Sequence, residues 1–124
     1  MKPKKILIVE DEKTSRDIIA LSVGKKDREL IFAEDGDEAV RMAIEQRPDL
    51  ILMDVMIPRI SGYEAARIIK SNDDLKHIPI IALTARTADY DAAMAREAGC
   101  DDYMTKPFRV AYLREKLAKY LKQD

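Results

Sequence analysis

The chain has 124 residues, of which 47% are apolar and 36% charged, and its formal net charge is −1. That length suffices for one domain with its own core, and no apolar run reaches the ~18 residues that a membrane-spanning helix needs. The near balance of charge gives no bulk electrostatic reason to bind nucleic acid, and the lone Cys100 excludes an intramolecular disulfide or a thiolate metal cluster.

From the N-terminus, Met1-Lys2-Pro3-Lys4-Lys5 leads into Ile6-Leu7-Ile8-Val9, an apolar segment too short for a signal-peptide core. A cytoplasmic location is therefore expected, and a reducing compartment suits the free thiol. Ile6-Leu7-Ile8-Val9 reads as a first strand, and helical spacing follows over roughly residues 12–25. Glu29-Leu30-Ile31-Phe32-Ala33 is a shorter, more polar strand suited to a sheet edge. A second helix follows over about 36–47, opened by the capping-box sequence Asp35-Gly36-Asp37-Glu38. Leu50-Ile51-Leu52-Met53 is apolar throughout, as a strand covered on both faces should be. Ser61-Gly62-Tyr63-Glu64 is a second capping box and starts a helix over about 62–72. Ile78-Pro79-Ile80-Ile81-Ala82-Leu83 is the third central strand, with Pro79 tolerable near its start. A fourth helix over about 86–98 ends at Gly99, a left-handed stop. Cys100-Asp101-Asp102-Tyr103-Met104 is the other edge strand, and the last helix covers about 108–121. In it Val110, Leu113, Leu117 and Leu121 form the inward stripe, with Arg109, Lys116, Lys119 and Lys122 largely off it.

This alternation is an α/β pattern, (βα)5 with a parallel sheet and helices on both faces. No repeat, low-complexity tract or linker divides it, so residues 1–124 are expected to be one domain without an output domain. In such sheets ligands bind beyond the carboxyl ends of the strands. Those ends carry Glu10-Asp11, Asp54, Thr84 and Thr105-Lys106-Pro107. If the first and third strands are neighbours, Glu10, Asp11 and Asp54 share one rim, with Thr84 and Lys106 flanking them. Carboxylates that close repel by about 4 kcal/mol per pair near ~4 Å at an effective dielectric of about 20, so a cation should sit among them. Oxygen ligands without His or Cys suit Mg²⁺, with Mn²⁺ as the alternative. A metal, a lysine and a hydroxyl facing one carboxylate are equipment for stabilising a transferring phosphoryl group, with Asp54 as the nucleophile.

Singly, each of these residues has a bland reading: Asp54 a turn residue, Glu10-Asp11-Glu12 an acidic helix start, Thr84 a strand threonine, Lys106 a surface lysine. Their order and spacing carry more. Ile6 through Glu12, Asp54-Val55-Met56-Ile57-Pro58 through Gly62, Leu83-Thr84-Ala85, Ala98 through Tyr103, and Lys106-Pro107-Phe108 resemble the receiver domain of bacterial two-component response regulators. The resemblance spans essentially the whole chain and is of the single-domain, chemotaxis-regulator kind.

It implies a flavodoxin-like sheet of order 2-1-3-4-5, the order known for this fold. It further implies that Asp54 is the phosphoacceptor, supplied by a histidine kinase or a histidine phosphotransfer protein. Asp11 would bind the metal directly, Glu10 through water or as an alternative ligand, and the Met56 backbone carbonyl would complete the protein ligands. Lys106 and Thr84 would hold phosphoryl oxygens, and Thr84 with Tyr103 would form the switch that alters the surface of the fourth helix, fifth strand and fifth helix. That surface would contact a downstream protein, with no direct nucleic-acid contact and no membrane insertion. A monomer is expected, or a dimer once phosphorylated. The Lys106-Pro107 bond is often cis in such domains. Met56 and Arg86 stand where the family tunes hydrolysis, and Met56 offers no polar group to orient water, so a long-lived phosphorylated state is expected.

Tyr103 could instead be edge-strand packing. Tyr90, Met94, Tyr112 and Tyr120 are either ordinary amphipathic edges or an exposed output cluster. His77 reads as surface and Cys100 as a small core residue. Among rival functions, a haloacid-dehalogenase-like phosphatase would need a second Asp at position 56, where Met56 stands. A flavodoxin-like cofactor module would need a phosphate loop where Glu10-Asp11-Glu12 lies. A non-phosphorylated interaction module, or a receiver excised from a longer regulator or hybrid kinase, are the other readings. The chain is expected to catalyse only its own phosphorylation and dephosphorylation.

Overall fold

The computed structural model describes residues 2–57, 59–84 and 88–122, the side chains of 88–91 excepted. Five strands and five helices alternate: β1 (Lys4–Val9), α1 (Lys13–Val23), β2 (Arg28–Ala33), α2 (Gly36–Gln46), β3 (Leu50–Asp54), α3 (Gly62–Ser71), β4 (Ile80–Thr84), α4 (Ala88–Ala98), β5 (Asp102–Thr105) and α5 (Val110–Leu121). All neighbours pair in parallel, in the order β2-β1-β3-β4-β5. The expected flavodoxin-like (βα)5 architecture is thus present. No helix among the described residues is long and apolar enough to cross a membrane.

Alternation along the strands divides the core in two. Leu7, Val9, Ile51, Met53, Ile80 and Ala82 face α2, α3 and α4, meeting Ala39, Ala43, Ala65, Ile69, Ala95 and Ala98. Ile6, Ile8, Leu50, Leu52, Ile81 and Leu83 face α1 and α5, meeting Ile19, Val23, Leu113, Leu117 and Leu121. β1, β3 and β4 are buried on both sides, which is why their sequences are apolar without alternation. Each such Leu or Ile contributes about 1.5–3 kcal/mol on burial, the main force holding helices to sheet.

Element ends follow local hydrogen bonding. Asp35 Oδ1 accepts the Glu38 N–H at 2.8 Å, while the Glu38 carboxylate reaches back to the Glu34 N–H at 2.8 Å, one residue before the expected partner. Ser61 Oγ accepts the Glu64 N–H at 3.1 Å. At the end of α4, Gly99 has φ +87°, its N–H donates to Arg96 and the Cys100 N–H to Ala95, the paired bonds of a Schellman stop. That stop uses Cys100, and Asp101 accepts the Ile80 N–H through its side chain, so β5 begins at Asp102 rather than Cys100. β4 begins at Ile80 rather than Ile78, because the Ile78 N–H turns back to Leu75 and Pro79 has no N–H to give. β1 extends back to Lys4, whose polar side chain hid it from the apolar pattern.

In α5, Val110 is exposed although its spacing put it on the inward stripe. Lys116 turns toward the sheet instead, 2.7 Å from Asp102, and the Tyr120 hydroxyl donates to the same carboxylate at 3.1 Å. Tyr112 is exposed, Met94 packs against the α2–α4 core, and the Tyr90 side chain lies outside the described residues. Of the described members of that expected set, Tyr112 is exposed, while Met94 and Tyr120 are half-buried. His77 is exposed, and Cys100 is half-buried, its thiol pushed up to about 11 by burial and then by Asp101.

Candidate functional site

Four strand ends meet at the carboxyl edge of the sheet. After β1, the Glu10 N–H donates to the Ala33 carbonyl at 3.0 Å, extending the ladder by one residue, and the Glu10 side chain is 2% exposed. Asp54 is the last residue of β3 and 6% exposed; Thr84 is the last of β4 and buried. Lys106 follows β5 and donates its backbone N–H to the Thr84 carbonyl at 2.6 Å. The Lys106–Pro107 peptide is cis, as the resemblance implied.

Asp54 is held at both carboxylate oxygens. Its Oδ1 accepts the Met56 N–H at 2.9 Å and its Oδ2 accepts Lys106 Nζ at 2.9 Å. Lys106 Nζ also donates to Glu10 Oε1 at 2.6 Å, and Glu10 Oε2 accepts the Glu12 N–H at 3.3 Å. Below, Gly62 packs against the strand end, where an added Cβ would stand 2.5 Å from the Asp54 carbonyl oxygen and 2.6 Å from the Val55 Cα. Only glycine lets α3 start this close to β3.

Glu10, Asp11 and Asp54 each present an oxygen within 4.8 Å of the others. Three carboxylate oxygens so placed, with Asp11 exposed and the other two buried, fit a site for a hard divalent cation that retains water. The electrostatics agree. Burial, then the hydrogen-bonded contact with Asp54, pushes the Glu10 carboxyl up to about 7 against the lowering pull of Lys106. Burial pulls the Lys106 ammonium down, but its bonds to Glu10 and Asp54 outweigh this and leave it above the ordinary lysine value. A lysine so raised is a fixed positive charge, whereas Glu10 gains its charge near neutrality.

Of the residues singled out from sequence, Glu10, Asp11, Asp54 and Lys106 form one cluster, and Thr84 joins it through its backbone. The Met56 side chain is 61% exposed, with its N–H turned to Asp54. Tyr103 is half-buried and packs against the α2–α4 core. Arg86 and Pro58 lie outside the described residues. One contact had no motif to announce it: Arg16 Nη1 donates to the Glu10 carbonyl at 3.2 Å and to Glu34 Oε1 at 3.1 Å. The only signal was a cation one turn into a helix that follows three acidic residues.

The arrangement has counterparts. The family model described as response regulator receiver domain matches residues 6–118. The polar-differentiation response regulator DivK of Brucella anthropi is 39% identical over 119 residues, covering 96% of this chain and 97% of that protein. The receiver domain of the sensor histidine kinase PA1611 from Pseudomonas aeruginosa PAO1 was solved with a magnesium ion coordinated in its active-site cleft. It superposes with a TM-score of 0.89 at 36% identity, over 98% of this chain and 99% of that one. The chemotaxis protein CheY4 of Vibrio cholerae gives a TM-score of 0.87 at 27% identity, over 95% and 98% of the two chains.

Proposed function

Because this chain belongs to the response regulator receiver domain family of two-component signalling, we propose that it is a switch thrown by phosphorylation of Asp54. The observation that carries the assignment is the Asp54 carboxylate itself, nearly buried at a strand end, held by the Met56 N–H and Lys106, and clustered with Glu10 and Asp11. The donor is a phosphohistidine on a histidine kinase or a histidine phosphotransfer protein. An Asp54 oxygen attacks phosphorus in line; the O–P bond forms as the N–P bond breaks, and the histidine nitrogen leaves with the electron pair and takes up a proton. Lys106 is proposed to turn from carboxylate to phosphoryl oxygen, and Thr84 to donate its hydroxyl to another. Asp11, Asp54, the Met56 carbonyl and Glu10 would hold Mg²⁺, or Mn²⁺ in its place, which would supply positive charge to offset the phosphoryl oxygens.

Thr84 and Tyr103 are proposed to pass the change to the face made by α4, β5 and α5, which binds a protein target rather than nucleic acid; Tyr103 is half-buried there. The protein is proposed to be a cytoplasmic monomer, or a dimer once phosphorylated, and residues 1–124 one receiver unit that catalyses only its own phosphorylation and dephosphorylation. The same reading holds if these residues are one part of a longer regulator or hybrid kinase. A haloacid-dehalogenase-like phosphatase is disfavoured by Met56 at the position of its general acid.

Incubation with acetyl phosphate and Mg²⁺ followed by intact-mass spectrometry tests the assignment. One phosphoryl mass is expected on the wild type and none on Asp54→Asn. No gain, or an equal gain in the variant, removes Asp54 as acceptor.

A further inference from the structure

The segment that carries two of the three cluster carboxylates is Glu10-Asp11-Glu12, between the end of β1 and the start of α1. Its fastening is unusual. Glu12 is the N-cap of α1, yet its side chain makes no cap hydrogen bond. The Glu10 N–H continues the ladder to Ala33, but the Glu10 carbonyl has run past the sheet and takes its donor from Arg16 Nη1 at 3.2 Å. Arg16 is itself tied back by its own N–H to the Glu12 carbonyl at 2.9 Å, so backbone and side chain of one residue grip both ends of the segment. The guanidinium is 19% exposed, and its Glu34 partner 66% exposed. An ion pair so open on one side stabilises little, which leaves the bond to the Glu10 carbonyl as the contact that matters.

We propose that Arg16 is a positioning residue: through the Glu10 carbonyl it sets the turn that presents Glu10 and Asp11 to the divalent cation. The inference rests on the functional reading given above. It makes a prediction of sign that simple electrostatics does not. Arg16 is a cation beside an acidic cluster, so removing its charge alone would strengthen cation binding. Removing the clamp lets the turn relax and weakens binding, as loss of groups that orient metal ligands does, by about tenfold or more.

The test is calorimetric titration of the whole chain with Mg²⁺ alone, read beside amide hydrogen exchange of residues 10–12 in metal-free protein. Arg16→Met is expected to bind Mg²⁺ about tenfold more weakly and to exchange faster at these amides, with a urea midpoint still in the folded range. Lys13→Met, which removes a charge from the same turn without touching Glu10, is expected to bind as well as the wild type or better. Glu34→Gln is expected to change affinity by less than about threefold. Arg16→Lys, keeping the charge and an N–H donor group but not the fork, is expected to fall between wild type and Arg16→Met. Equal or tighter binding by Arg16→Met, or unchanged exchange at residues 10–12, overturns the proposal. A wild type that binds Mg²⁺ but gains no phosphoryl mass would sink the switch reading and leave this one standing. If Arg16→Met does not fold, Arg16→Lys and the exchange rates decide.

Discussion

The Lys106 ammonium lies 2.9 Å from Asp54 Oδ2 while also 2.6 Å from Glu10 Oε1, so one side chain joins the proposed acceptor to its acidic neighbour. In the proposed switch it would serve two states. Before transfer it offsets two buried carboxylates, and during the proposed transfer the same charge would be available to the phosphoryl group.

Lys106→Met should separate these roles. Breaking a buried ion pair costs about 3–5 kcal/mol, and the partial exposure of Lys106 lowers that to about 2 kcal/mol here. The metal-free variant should unfold in urea at correspondingly lower concentration, and Mg²⁺ should restore more stability than it adds to the wild type. Phosphorylation by acetyl phosphate at saturating Mg²⁺ should be about a hundredfold slower. An unchanged rate would remove Lys106 from the transfer step.

Glu10 sets a pH dependence. Its folded-state value of about 7 lies above the ordinary 4.5, so between the two the folded chain binds more protons than the unfolded chain. The contribution of Glu10 to metal-free stability is fully present below the lower value and is lost as pH rises through the upper one, a change on the order of 3 kcal/mol. Mg²⁺ binds the ionised form, so its affinity should rise over the same window and its presence should flatten the stability profile. Urea titrations across the window with chelator and with Mg²⁺ check both, and Glu10→Gln should abolish the Glu10 part. Mg²⁺ affinity that does not change across the window would count against Glu10 at the cation site.

Gly62→Ala places a methyl 2.5 Å from the Asp54 carbonyl oxygen, backbone against backbone, where no side chain can yield. The start of α3 must move away from β3, at a cost of about 1–3 kcal/mol. Because the crowded atom belongs to Asp54, phosphorylation should slow as well. A melting temperature equal to the wild type would show that the helix start gives way freely.

The Met56 side chain, 61% exposed near the proposed acceptor, has no polar group to orient an attacking water. Phosphorylated protein freed of acetyl phosphate and kept in Mg²⁺ should lose its phosphoryl mass over minutes or longer. Loss within seconds would show that another group positions the water.

The strands were the most legible part of the chain. Ile6 to Val9, Leu50 to Met53 and Ile80 to Leu83 are apolar at every position because both faces of a central parallel strand are covered. Their ends were less so, since Lys4 pairs through its backbone whatever its side chain, and Asp101 caps β4 from far along the chain. The inward stripe of α5 misled at Val110 and Lys116 because periodicity ranks residues by polarity. A lysine with a carboxylate to meet can lie against the sheet, while Val110, at the start of the helix, stays exposed.

The identities and spacing of Glu10, Asp11, Asp54, Thr84 and Lys106 are sequence properties, and with the alternation of strand and helix they determined by themselves a strand-end acidic site in an α/β sheet. Tertiary structure alone decided that Lys106 spans Glu10 and Asp54, that both oxygens of Asp54 have donors, and that Arg16 fastens the Glu10 carbonyl. Local sequence encodes which groups a strand end carries. Which of them lie within hydrogen-bonding distance depends on strand order and register, and these bring residues 96 positions apart in the chain to 2.6 Å.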